Sequence, residues 1–432
     1  MKKVESIDKV FLEEKSINFT KAQLQEMGYE TESIVTKDDL ELFRQKFPEL
    51  AIEDLDRILS LTIKKDEIPK IITFLGMLTA YTEDSQVNIS FNAPASTGKS
   101  YIAKEVSKLF PEEDLIKVAY SSPTAFFHSY GEYNPENRTR KIDLSRKILI
   151  FQDQPHSLLL ERLRPLLSHD QKELLFKITD KGKKGQNITK DVILIGYPVI
   201  IFCSASLTMD KQETSRVILL SPDIDREKIY DSIMQTINRQ NNKQFDIEVE
   251  NNPERKLLKE RVRIIKNLKL DDVIIPDTSI ITNYYQTKQN SKDITPADMR
   301  NILKIYSIIK GLALLNFAHR EIQGKNLIAN TNDIGQGFLL WKEIEKYQDL
   351  GISPFAFWFY ENVFIPAFKQ NNNEGLSLKD MSGFMAKSLK KSITYKLLRM
   401  EIIPSLLNAG LIEEDKNPED RREKLYYPSK EI

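Results

Sequence analysis

Ala93-Pro94-Ala95-Ser96-Thr97-Gly98-Lys99-Ser100 is the stretch whose reading decides the fold of this 432-residue chain. It lies between a β-rich run at 87–91 and a segment with helical character at 101–109. A loop that cradles nucleotide phosphates needs curled backbone N–H groups, a helix N-terminus aimed at the ligand, a lysine for the outer oxygens and a hydroxyl for magnesium. Gly98 allows close backbone approach, Lys99 is the expected phosphate cation and Ser100 the expected magnesium hydroxyl. Ala93, Pro94, Ala95, Ser96, Thr97 and Tyr101 complete the predicted nucleotide contacts. Ala93 stands where such loops usually begin with glycine, and its small side chain keeps the loop open. Taken alone, the segment leaves ATP and GTP equally open.

Working outward, the same alternation of strand, loop and helix recurs. Apolar runs at 115–119, 147–151, 198–203 and 217–220 alternate with helical or polar stretches, which predicts an α/β fold with a parallel sheet and helices on both faces. The run Ile148-Leu149-Ile150-Phe151 ends in Gln152-Asp153. A carboxylate at a strand end beside a phosphate loop can hold the magnesium shell or orient the attacking water, and Asp153 is the candidate for either role. The run at 198–203 leads into Ser204-Ala205-Ser206. Ser204 is therefore a candidate γ-phosphate sensor between the loop and the acidic strand.

Before the loop, Leu40, Phe43, Phe47 and Leu50, then Leu55, Ile58 and Leu59, carry helical spacing with Pro48 as a break, and 65–83 reads as a further helix. Beyond the sheet, strand patterns become scarce between 223 and 345, and 299–320 has a long apolar helical face. After Ser353 the style changes again, to an aromatic helix at 355–368, two short helices and a strand pair at 411–412 and 425–427. The expected organisation is an N-terminal helical segment at 1–63, an ATPase core at 64–222, an α-helical lid at 223–350 and a separate small domain at 351–432.

Composition sets bounds on partners. Lys plus Arg and Asp plus Glu are 63 each, so no global basic field draws the chain to nucleic acid, and any such contact must be local. One cysteine, Cys203, excludes an intrachain disulfide and fits a reducing compartment. No run has the length and apolarity of a signal peptide or membrane span, so a cytoplasmic protein without membrane contact is expected.

In order along the chain, these motifs resemble those of the AAA+ ATPases, and among them the minichromosome-maintenance-like and mobile-element replicative helicases. The likeness spans about residue 64 to the C-terminus. Thr214-Ser215-Arg216 is similar to the Ser-Arg finger motif of that family, which implies that Arg216 reaches the γ-phosphate on a neighbouring subunit. Asp298-Met299-Arg300-Asn301-Ile302-Leu303 opens the long lid helix much as the sensor-2 arginine does in the minichromosome maintenance group, which implies that Arg300 contacts nucleotide from the lid. A planar, permanently charged donor suits the spread charge of a phosphoryl transition state. The resemblance implies ATP and Mg²⁺ as ligands and a homo-oligomeric ring, commonly a hexamer. Two departures stand out. The acidic motif is Gln-Asp rather than Asp-Glu, and with one cysteine and four histidines the zinc-bearing N-terminal domain of the cellular members is not expected in this sequence, which favours a divergent phage- or plasmid-borne relative.

Residues 176–190 read as a hairpin with a basic tip, and Lys181, Lys183, Lys184 and Lys190 are candidate contacts to single-stranded DNA. From 376 onward the order of elements resembles a winged helix, in which Pro404 should kink or divide the third helix. The expected function is an ATP-dependent DNA helicase or translocase acting in replication of a mobile element, with a primase or an initiator among its partners. A second expectation is an AAA+ switch that loads or remodels a partner protein on DNA, and a third is a slowly hydrolysing regulatory scaffold.

Overall fold

Buried strands of a parallel sheet need apolar side chains on both faces, and the short apolar runs meet that demand. The computed structural model describes residues 37–119, 131–136, 138–153, 157–181, 187–204, 211–418 and 422–429. Its strands are β1 (Ile89–Asn92), β2 (Leu115–Val118), β3 (Glu132–Asn134), β4 (Thr139–Asp143), β5 (Ile148–Phe151), β6 (Glu173–Lys181), β7 (Asn187–Ile195), β8 (Val199–Ser204) and β9 (Ile218–Leu220), followed by β10 (Asp272–Ile274), β11 (Glu321–Gln323), β12 (Asn326–Ile328), β13 (Ile412–Lys416) and β14 (Lys424–Pro428). The central sheet is all parallel, in the order β2-β5-β8-β1-β9. Successive residues divide between two cores. Ile148, Ile150, Val199, Ile201, Ile218 and Leu220 face one, while Leu149, Phe151, Ile200, Phe202 and Leu219 face the other.

Helices cover the first face. They include α1 (Lys37–Lys46), α2 (Ile52–Leu59), α3 (Glu67–Leu78) and α4 (Lys99–Ser107). The second face is covered by α5 (Ser157–Leu167) together with a second sheet, order β3-β4-β7-β6, through Ile142, Leu174, Val192 and Leu194. Helices on both faces were expected; the second sheet was not, because β3 and β4 carry charged and polar residues without an apolar run. The hairpin read at 176–190 is present as β6 and β7, paired from Glu173 with Ile195 to Lys181 with Asn187.

Before β9 lies α6 (Lys211–Thr214), and after it come α7 (Arg226–Asn241), α8 (Phe245–Asn251), α9 (Pro253–Asn267), α10 (Ser279–Ser291), α11 (Asp298–Leu315) and α12 (Thr331–Leu350). This mainly helical stretch also holds a three-stranded sheet, order β10-β12-β11, of three residues per strand. The N-terminal helices share the principal core with it. Phe47, Leu55, Ile309 and Trp341 belong to one cluster, and Lys70 of α3 joins Asp56 of α2 at 2.8 Å.

Helices α3 and α11 approach closely at Gly311, where an added Cβ would lie 2.9 Å from the Leu75 carbonyl oxygen. Alanine would gain roughly 1 kcal/mol of helix propensity, but a clash with backbone forces the helices apart at a typical cost of about 1–3 kcal/mol. Gly311→Ala is therefore expected to lower stability by about 1 kcal/mol net. Urea unfolding checks this, and an unchanged or raised midpoint would count against that packing.

The C-terminal elements have their own core, built on Phe355, Phe359, Phe364, Met381, Leu398, Ile402 and Leu406. They are α13 (Pro354–Phe359), α14 (Ile365–Gln370), α15 (Leu378–Ser388), α16 (Tyr395–Leu397) and α17 (Ile403–Asn408), followed by the antiparallel pair β13 and β14, with Leu376 bridging to Tyr426. Pro404 does not divide its helix. The turn before it, Leu398–Ile402, widens to a π-helix, with the Ile403 N–H donating to Leu398 O five residues back. Widening the turn accommodates a residue that lacks an N–H and crowds the preceding turn, and Ser405 Oγ takes up the Glu401 carbonyl at 2.7 Å. The same device precedes Pro366, where Tyr360–Phe364 is a π-helix. Among the described residues, no helix is long and apolar enough to cross a membrane.

Candidate functional site

The loop that opened the sequence reading joins the end of β1 to the start of α4. Gly98 immediately precedes the helix with φ of 100°, a conformation open to glycine and costly for other residues. Lys99 is buried, and its Nζ donates to the carbonyls of Ala93 at 2.6 Å and Pro94 at 2.7 Å. Thr97 Oγ1 donates to Pro94 O at 2.9 Å, so the loop closes on itself around the ammonium. Burial lowers the Lys99 pKa, opposed by Cys203 and Asp153 nearby. Ser221 Oγ, just after β9, donates to Asn92 O and ties the root of the loop to the neighbouring strand.

The parallel register brings the other strand ends to the same edge. β8 lies between β1 and β5, with Ser204 opposite Asn92 and Phe202 opposite Phe151. Ser100 Oγ donates to Gln152 O at 3.3 Å, which joins the start of α4 to the residue before Asp153. Cys203 is buried there, its thiol pushed up to about 11 by desolvation and drawn down by Ser100 and Lys99. Lys99, Ser100, Asp153 and Ser204 thus converge on one end of the sheet. The oxygens of Ser100 and Asp153 are of the hard type that magnesium takes.

Beside the loop opens a cavity of about 460 Å³ lined by Ser96, Thr97, Gly98, Tyr101 and the apolar row Ile229, Ile233 and Ile237 of α7. Tyr101 hydroxyl donates to Thr62 O at 2.7 Å, so its ring forms part of the wall. Two wall residues carried no sequence signal: Lys228 and Asp66, a buried ion pair at 2.6 Å drawn from positions far apart in the chain. Burial raises the Asp66 carboxyl to about 6, and the Lys228 charge opposes that rise.

Arg216 and Arg300 lie elsewhere. Arg216 precedes β9, at the opposite end of that strand from Ser221, and at about 3.3 Å per residue the five steps between them span roughly 16 Å. Its Nε donates to Ser168 Oγ at 2.6 Å, and Arg300 donates to Ser215 Oγ. Both line a cavity of about 160 Å³ with Lys304, His169 and Asp170. Burial lowers the Arg216 pKa, and the charges of Arg300 and Arg164 add to that. Lys304, one turn beyond Arg300 and missed in the sequence, is brought down to about 7 by burial. The two predicted arginines therefore meet each other and not the Lys99 of their own chain.

Lys181 closes β6, and Lys190 Nζ lies 5.6 Å from the centre of the Tyr133 ring. Lys183 and Lys184 lie outside the described residues. A second cleft, of about 510 Å³, opens between α12, α13 and residues 221–225 and is lined by Phe357, Trp358 and Lys391. Asp223 and Ile224 line both this cleft and the cavity beside the loop. No protein-family model matches the chain, and no curated protein matches it.

Proposed function

We propose that this chain is an ATP hydrolase of the AAA+ class that works as a DNA helicase or translocase in a homo-oligomeric ring. The observation that carries the reading is the convergence of Lys99, Ser100, Asp153 and Ser204 at one end of a parallel sheet, beside a cavity with an apolar wall. Lys99 exchanges the loop carbonyls for the outer phosphates, and the loop N–H groups take the inner ones. The apolar row on α7 covers the base. Asp153 and Ser204 face the terminal phosphate, where Asp153 orients water or supports the metal shell. Magnesium, when bound through Ser100, supplies charge neutralisation on the phosphates.

The separation of Arg216 and Arg300 from Lys99 within one chain supports action in trans, each arginine serving the nucleotide of a neighbour. Contact by Arg300 with its own chain's nucleotide has no such support. The long hairpin β6–β7, with basic residues toward its tip, is the proposed grip on single-stranded DNA. Single-stranded DNA is expected to raise the ATPase rate several-fold, and Lys183→Ala with Lys184→Ala to remove that stimulation while leaving the basal rate. A basal rate indifferent to DNA and to both changes would sink the translocase reading.

A loader or remodeller of a partner protein is the second reading, and the C-terminal module favours it. Its helices followed by a two-stranded wing fit a winged helix, yet on the wing strand β13, where Glu414 on one side pairs with Lys424 at 2.7 Å, Glu413 and Asp415 are exposed together on the other face. Such a face repels DNA phosphates and suits a basic protein surface.

A further inference from the structure

Three segments far apart in the sequence meet on one ammonium group. Lys228 Nζ lies 2.6 Å from Asp66 Oδ2, donates to Asp223 O at 2.9 Å and donates to Thr97 O at 3.2 Å. A lysine has three N–H donors, and these partners occupy all of them. Asp66 is tied in turn: its Oδ1 accepts the Asp223 N–H at 2.6 Å, and its backbone is held at φ of 56°, an uncommon conformation for a non-glycine residue. Lys228 and Asp66 are both buried. A buried pair with every donor used sets geometry more than it adds stability.

The contact to Thr97 has a directional consequence. In a planar trans peptide, the carbonyl of Thr97 and the N–H of Gly98 point to opposite sides. Holding the carbonyl toward Lys228 therefore aims the Gly98 N–H away from it. That N–H belongs to the turn that closes the phosphate loop, and Gly98 is the residue at φ of 100° that needs an outside restraint to keep one orientation. Lys228 also opens α7, whose Ile229, Ile233 and Ile237 form the apolar wall of the adjoining cavity. One ammonium thus fixes the loop peptide and the wall helix against the same carboxylate.

We infer that Lys228 and Asp66 are the positioning pair of the nucleotide site, presetting the Thr97–Gly98 peptide and the first turn of α7 for ligand. Neither touches the reacting atoms. The inference rests on the nucleotide reading above and adds to it residues outside the phosphate-loop motif.

The test uses the full chain and a fluorescent ATP analogue with magnesium, alongside thermal melting and steady-state hydrolysis. Asp66→Asn with Lys228→Met removes both charges, so no buried charge is left unpaired, and a cooperative melt near that of the wild type is expected. Its nucleotide affinity is expected to fall about tenfold or more, with KM rising more than kcat falls. Lys228→Arg, which keeps a buried cation with several donors, is expected to recover most of that affinity. A folded double variant that binds as tightly as the wild type overturns the inference; should the double variant not fold, Lys228→Arg and Asp66→Asn are read singly against the same affinity. Lys99→Ala separates the two readings. Wild type that binds no nucleotide removes both, whereas binding lost in Lys99→Ala and kept in the double variant removes only this one.

Discussion

Replacing Lys99 with alanine is expected to weaken MgATP binding by about a hundredfold, or roughly 3 kcal/mol, the largest single effect on affinity in the chain. Its ammonium is buried and bonded to the carbonyls of Ala93 and Pro94, so it is already desolvated and aimed into the loop. Exchanging neutral carbonyls for phosphate oxygens replaces ordinary hydrogen bonds with charge-assisted ones, worth about 1.5–3 kcal/mol each. Burial lowers the lysine's pKa, and an anionic ligand offsets that pressure, so ligand and lysine charge reinforce each other. Calorimetric titration of wild type and variant with MgATP measures the difference. A variant that binds within a factor of about three of wild type would remove Lys99 from the site and the nucleotide reading with it.

Replacing Arg216 with alanine should act on turnover instead. A guanidinium that stabilises the charge of a transferring phosphoryl group contributes about 10³-fold or more to the rate, so hydrolysis is expected to drop by that order while affinity changes little. The length of β9 separates Arg216 from the loop of its own chain, which makes complementation the decisive measurement. Chains carrying Lys99→Ala and chains carrying Arg216→Ala are each expected to be inactive alone and to regain turnover when mixed, because a mixed ring holds sites with both groups intact. No recovery on mixing, or an Arg216→Ala chain as active as wild type, would rule out the trans arrangement. Melting temperature guards against a trivial cause, since Arg216 also donates to Ser168 Oγ.

The parallel sheet was legible because most of its strands are short apolar runs, and the strand–loop–helix turn at 93–100 because its residue types are constrained locally. β8, which ends at Ser204, pairs with both β1 and β5, so Ser204 lies between the strand ends that carry the 93–100 loop and Asp153. The second sheet was hidden for the opposite reason. β3 and β4 read Glu-Tyr-Asn and Thr-Arg-Lys-Ile-Asp, and their pairing is dictated by the β6–β7 hairpin rather than by their own hydrophobicity. The three-residue strands β10 to β12 are too short to show a period. Lys228 and Asp66 are 162 residues apart, and neither belongs to a pattern that spacing can reveal. Arg216 and Arg300 were each picked out, but their meeting depends on how α11 packs against the start of β9, a tertiary fact without a local signature.

Asp223 and Ile224 form a partition with a chamber on each side, the cavity beside the 93–100 loop on one and the cleft against the C-terminal module on the other. A partition has one thickness and two faces. A shift of these two residues toward either chamber is a shift away from the other, so at this point the two walls cannot be reshaped independently.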